Sequence, residues 1–193
     1  GGEPSLPFQL LKKAVKRTVE LNQEHRKQIT YVLCTNSINL TEEILHLCKE
    51  YNILISTSLD GPAFIHNHNR GKTDSYNRVI EGINKVRNYL GADKVSALMT
   101  TSELSINHPK EIVDNYILNG FNNIFLRPLN PYGLALNSTN WNIYFDKFFE
   151  FYKQALNYII DINIKGKFFV EEFTAILLRK ILTPFTTGFV DLQ

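Results

Sequence analysis

The chain has 193 residues, 44% of them hydrophobic, enough for one sizeable core and slightly long for a single average domain. Lys and Arg number 21 against 19 Asp and Glu, and no block of like charge suggests a nucleic-acid arm or a polybasic membrane patch. No apolar stretch reaches the roughly 18 residues of a spanning helix, and the first residues lack a signal layout, so the expectation is a cytoplasmic protein with no nucleic-acid or membrane partner. The two cysteines, Cys34 and Cys48, form no Cys-x-x-Cys pair, which indicates neither a disulfide framework nor a metal knuckle.

From Pro4, the positions Leu6, Leu10, Leu11, Ala14, Val15, Thr18 and Leu21 recur at three and four, one face of a helix to about Gln23. Ile29 to Cys34 is short, β-branched and aromatic, a buried strand. Thr41 is placed to cap a helix whose first turn carries Glu42 and Glu43 and whose inner face is Ile44, Leu45, Leu47 and Cys48. Ile53 to Leu59 is the next strand, stopping at Asp60-Gly61-Pro62, and His66 to Lys72 reads as a polar loop. A helix over about 73–90, a strand Val95 to Thr101, a helix Pro109 to Leu118 and a strand Asn123 to Arg127 follow. Trp141, Tyr144, Phe145, Phe148, Tyr152, Ala155, Leu156 and Ile159 have helical spacing and read as an aromatic core face. Phe168 to Leu182 reads as a last helix with Glu171 and Glu172 near its start on a solvated face.

Strands alternating with helices, each strand too hydrophobic to have a wet face, imply an α/β fold with a parallel sheet covered by helices. Alternation alone does not separate a barrel from an open sheet. In both, ligands sit at the carboxyl ends of strands, which singles out Thr35, Asn36, Ser58, Asp60, Thr101 and Arg127.

At the opening, Gly1-Gly2 would let backbone groups approach a ligand closely, and Glu3 offers a carboxylate to a cation such as an amino group; a plain turn is the simpler alternative. Ser58 and Asp60 lie two apart, on one side of a strand end, and suit a ribose or another diol, unless Asp60 only bonds its own turn. Arg70 could grip a carboxylate with two N–H groups. His66 and His68 lack a third ligand nearby and read as solvated. No Ser/His/Asp order, nucleophile elbow or phosphate-binding loop is present, and a hydrolase would have to pair carboxylates from Glu3, Asp60, Glu171 and Glu172.

Taken in order, Gly1-Gly2-Glu3-Pro4, then Thr35-Asn36-Ser37, then Ser58-Leu59-Asp60-Gly61-Pro62 with Arg70-Gly71, then Arg127-Pro128, resemble the radical S-adenosylmethionine enzymes that mature peptides and proteins. The set is similar to the SPASM-type group that includes anaerobic sulfatase-maturating enzymes. The run Asn122 to Gly133 and the closing Phe189-Val190-Asp191-Leu192-Gln193 most resemble maturases of the His-Xaa-Ser peptide system. The resemblance implies a partial (β/α)6 TIM-like barrel truncated at its N-terminus. It implies that residues 1–135 are the central part of that barrel, with 136–193 a helical segment leading to an auxiliary-cluster domain.

It also implies that Gly1, Gly2 and Glu3 bind the amino group of S-adenosylmethionine (AdoMet). Ser58 and Asp60 then lie near the ribose, Arg70 meets the carboxylate, and Thr35 and Asn36 line the pocket. A [4Fe-4S] cluster, on a Cys-x-x-x-Cys-x-x-Cys loop expected before Gly1, would pass an electron from a donor to AdoMet. The resulting 5′-deoxyadenosyl radical would take hydrogen from a peptide or protein substrate. Cys34 and Cys48 do not match that loop and take no metal role. Without it the stretch alone would be inactive. Ser37 stands where relatives usually have Gly, a departure at the turn after Asn36. The alternative is a silent barrel that serves as a peptide-binding or scaffold module.

Overall fold

The computed structural model describes residues 2–71, 73–132 and 140–184. In chain order the elements are α1 (Phe8–His25), β1 (Val32–Thr35), α2 (Glu42–Glu50), β2 (Leu54–Ser58), α3 (Ala63–Arg70), α4 (Ser75–Leu90), β3 (Val95–Leu98) and α5 (Pro109–Leu118). They continue with β4 (Asn123–Ile124), α6 (Trp141–Ile164), β5 (Val170–Glu171) and α7 (Glu172–Leu182). The chain divides into two compact units, Gly1–Leu59 with Gly71–Ala97, and Asp60–Arg70 with Leu98–Gln193.

In the first unit, a three-stranded sheet has the order β1-β2-β3. β1 and β2 run parallel, with Val32 opposite Leu54 and Thr35 opposite Thr57. Thr41 caps α2 by accepting the Ile44 N–H at 3.3 Å, and Ile44, Leu45, Leu47 and Cys48 are buried, as the periodicity predicts. α1 is where the expected inner face has to be corrected. Val15 is its buried residue, while Leu6 and Leu10 are 68% and 65% exposed and Leu21 also reaches solvent. The sheltered stripe is Phe8, Leu11, Val15, Val19 and Asn22. Both stripes have helical spacing, and only packing against the neighbouring elements chooses between them. The expectation that no strand has a wet face also fails on β1, where Val32 and Cys34 are exposed and Leu33 and Thr35 buried. Among the described residues β1 is the outer strand of its sheet, and its side chains alternate between exposed and buried.

In the second unit, β4 pairs with β5 in parallel, Asn123 opposite Val170. The strands expected to end at Thr101 and Arg127 are shorter, and Thr101 meets Pro128 in an isolated bridge. On α6 the expected Tyr144, Phe148, Ala155 and Ile159 are buried and Phe151 joins them, whereas Phe145 is exposed. The polar run His66 to Arg70 is helical rather than a loop, and His66 is buried, not solvated. Pro62 starts that helix, its carbonyl accepting both the Ile65 and His66 N–H groups. Gly61 just before it has φ of 128°, and a Cβ there would lie 2.9 Å from Ile112 Cγ1, so glycine is required on both counts. Glu171 is likewise not on a solvated face. It is 3% exposed and caps α7 by accepting the Thr174 N–H at 2.6 Å.

Candidate functional site

Among the described residues, Glu3 in the first unit and Asp60 and Glu171 in the second are carboxylates gathered by several donors, Glu171 being the cap of α7, which also accepts from the Leu126 N–H and the Tyr152 hydroxyl. Glu3 sits in the turn before α1, where its carbonyl accepts the Leu6 N–H. Its Oε1 accepts from the Ser5 N–H at 3.1 Å, the Ser5 hydroxyl at 2.7 Å and the Thr35 hydroxyl at 2.6 Å, and its Oε2 accepts from the Asn36 N–H at 2.8 Å. Thr35 is the last residue of β1, so the strand end itself delivers the hydroxyl. The next residues hold that delivery in place. Asn36 Oδ1 accepts the Ile38 N–H, and the Ser37 N–H donates to Thr35 Oγ1 at 3.2 Å. Ser37 adopts φ of 58°, a left-handed conformation that suits glycine better than serine.

Partial burial pushes the Glu3 carboxyl up, but the Asn36 N–H and the Thr35 and Ser5 donors outweigh it and hold it below the ordinary carboxylate range. Glu3 is therefore an anion at neutral pH. Every one of its donors is neutral, and among the described residues no Lys, Arg or His forms an ion pair with it. At Gly2 a Cβ would meet nothing within 4 Å, so the backbone beside the carboxylate is open. Gly1 lies outside the described residues.

Asp60 is the contrasting case. It is 1% exposed, and Arg70 grips it with Nε to Oδ2 and an outer nitrogen to Oδ1, both at 2.7 Å. Oδ1 also accepts the Thr100 N–H at 3.2 Å. The Asp60 N–H donates to His66 Nδ1 at 3.2 Å, which makes Nδ1 the unprotonated nitrogen of a neutral ring. Burial lowers the His66 pKa, against the pull of the nearby Asp60 carboxylate. The buried Tyr116 phenol is pushed well up, by burial first and by Asp60 second.

Thus Glu3, Thr35 and Asn36 are joined by direct hydrogen bonds, and Asp60 and Arg70 are joined to each other. Ser58 ends β2 half-buried. Thr101 is fully buried, its N–H bonded to the Arg127 carbonyl and its own carbonyl taken by the Tyr144 hydroxyl, a structural placement. Sequence reasoning missed Ser5, named Ser37 only as a departure from glycine, and read His66 as solvated. A serine two residues after the acid is a readable turn signal, whereas His66 was hidden by reading a polar helix as a loop. Among the described residues no three His, Cys, Asp or Glu side chains are grouped to hold a metal ion. Cys34 is exposed, and Cys48 is buried with its thiol pushed up to about 11, so these residues do not fit an iron-sulfur cluster.

Residues 1–126 match the model of the radical SAM superfamily. An uncharacterized protein of Methanothermobacter thermautotrophicus is 30% identical over 164 residues, covering 83% of this chain and 58% of that protein. Among solved structures, native anSMEcpe with bound AdoMet, an anaerobic sulfatase-maturating enzyme, has a TM-score of 0.78 at 20% identity, covering 94% of this chain and 50% of that one. The same enzyme with AdoMet and the Kp18Cys peptide has a TM-score of 0.75 at 20% identity, covering 94% and 51%. The chain spans about half the length of the structures it matches.

Proposed function

The chain belongs to the radical SAM superfamily, and from that premise we propose that it is the AdoMet-binding part of an enzyme that modifies a peptide or protein. The observation that carries the reading is Glu3, an ionised carboxylate held by neutral donors, beside an open glycine backbone, with no cation of its own among the described residues. A ligand ammonium supplies the missing positive charge. Oε2, with the Asn36 N–H as its one hydrogen-bond donor among the described residues, has a lone pair to accept it.

In this assignment Gly1 and Gly2 let the backbone approach the amino group, and Glu3 is its counter-charge. Thr35 and Asn36 orient that carboxylate, and the Ser58 hydroxyl is a donor for the ribose. The ribose role expected for Asp60 is not carried forward, because both of its oxygens are engaged by Arg70 and Thr100. Asp60 and Arg70 instead fix the segment that follows β2. AdoMet and a [4Fe-4S] cluster supply the radical chemistry in this family. In this reading the residues of this chain bind and orient AdoMet, and among the described residues no three His, Cys, Asp or Glu side chains are grouped to hold the cluster.

The alternation of strands and helices and the likeness to anSMEcpe support a part of a (β/α)6 barrel. The peptide bound to that neighbour supports a peptide substrate. The assignment to a maturase of the SPASM type close to the His-Xaa-Ser system, with an electron donor as second partner, rests on the sequence resemblance alone. The test is 5′-deoxyadenosine release by the full-length protein, reconstituted with iron and sulfide without oxygen, on adding a strong reductant. Release that falls sharply in Glu3→Ala supports the reading. No release from protein that holds its cluster overturns it in favour of a silent peptide-binding module.

A further inference from the structure

Gly82 lies in the middle of α4, where glycine weakens a helix by about 1 kcal/mol relative to alanine. The space around it explains why it is there. A Cβ at residue 82 would lie 2.1 Å from the Ser37 carbonyl oxygen and 3.0 Å from the Ser37 carbonyl carbon and Cβ. That neighbour is backbone, which cannot swing aside as the end of a side chain can. Ser37 is 1% exposed, its backbone is left-handed, and its hydroxyl is buried with no hydrogen-bond partner among the described residues. A serine in a left-handed conformation thus lies in direct backbone contact with the helix at Gly82. One turn further along α4, Lys85 Nζ donates to the Leu40 carbonyl at 2.6 Å, so the helix grips the same loop at a second point.

The loop so held is the one that arms Glu3. The Ser37 N–H bonds Thr35 Oγ1, which donates to Glu3 Oε1, while the adjacent Asn36 N–H bonds Glu3 Oε2. We infer that α4, through Gly82 and Lys85, positions the Thr35–Ser37 turn and thereby sets the affinity of Glu3 for the ligand's ammonium group. Gly82 and Lys85 are positioning residues, acting through Ser37 and Leu40. The inference rests on the reading of Glu3 as the AdoMet counter-charge. It adds that this contact is tuned from a helix about 80 residues along the chain.

The probes are AdoMet and 5′-methylthioadenosine, which keeps the adenosine and sulfur but lacks the amino-acid arm. Binding of each to the full-length, cluster-loaded protein is measured for the wild type and for Glu3→Ala, Gly82→Ala, Lys85→Met and Ile83→Ala. Ile83 is a buried residue of the same helix that serves as the control for general destabilisation. Gly82→Ala is expected to weaken AdoMet about tenfold, the equivalent of one hydrogen bond to a charged group. 5′-Methylthioadenosine should be almost unaffected. Lys85→Met shifts in the same direction by less, and Ile83→Ala lowers the melting temperature without separating the two ligands. If Gly82→Ala does not fold, Lys85→Met carries the test. Equal losses for both ligands, or no loss of AdoMet affinity, would overturn the inference while the Glu3 reading stands. If Glu3→Ala itself fails to separate the two ligands, the underlying reading falls and the inference with it.

Discussion

Glu3 and Asp60 are both acids fixed by several hydrogen bonds, yet they differ in what completes them. Asp60 is buried and already has its cation in Arg70, so its surroundings are closed electrostatically. Glu3 is partly open, and its donors among the described residues are neutral N–H and O–H groups. Neutral donors stabilise an anion without cancelling its charge, so the attraction for an external cation survives. A count of hydrogen bonds would rank the two alike. The charge of the donors together with the exposure of the acid separates a structural acid from a place for a ligand: Glu171, also held by neutral donors, is 3% exposed and closed as a helix cap, whereas Glu3 is partly open.

The largest test of that contrast is Arg70→Met. It leaves the Asp60 carboxylate buried without its cation and should cost about 3 kcal/mol in urea unfolding, the low end for such a loss because the Arg70 side chain is 37% exposed. A loss below about 1 kcal/mol would break the comparison. Thr35→Val removes one donor to Glu3 and the acceptor of the Ser37 N–H, with an expected cost of about 1 kcal/mol. It should also let Glu3 titrate closer to its ordinary value. Because the folded-state pKa of Glu3 is lowered, its stabilisation is present above about 4.5 and is lost as pH falls below that. The acid arm of the stability profile should therefore be shallower in the variant.

Ser37→Gly removes a left-handed serine and a buried hydroxyl with no partner among the described residues, and should raise stability by about 0.5 kcal/mol in the same unfolding assay. The smallest effect is one of slope. His66 has a lowered pKa from burial, so below about 6.5 the unfolded chain binds a proton that the folded chain refuses, and stability falls with pH. His66→Asn keeps an acceptor oxygen near the place of Nδ1 for the Asp60 N–H and should flatten the profile below about pH 6.5.

Much of this was legible in the residues themselves. Most of the strand and helix order followed from periodicity, except α3, read as a loop, and β5, which lies inside the stretch Phe168 to Leu182 read as one helix. The buried face and cap of α2 came out as read. The elements of the Glu3 cluster were named by their spelling and by their place at a strand end, and the structure joins Glu3, Thr35 and Asn36 directly. The rest depended on contacts distant in sequence. Two equally spaced stripes on α1 compete, and only the neighbouring elements choose between them. Asp60 pairs ten residues away because the intervening polar run is a helix, which its composition hides. The glycine at 82 carried a weak signal, an unfavourable residue inside a helical pattern, and its partner could not be read without the fold.

The central claim is that Glu3 is the counter-charge for the amino group of AdoMet. Equilibrium binding of AdoMet to the full-length, cluster-loaded protein, wild type against Glu3→Gln, tests it most directly. The glutamine keeps the shape and one acceptor oxygen and removes the charge, so the account predicts affinity weaker by about 10- to 100-fold, the range for a hydrogen bond to a charged group. An unchanged dissociation constant would contradict it.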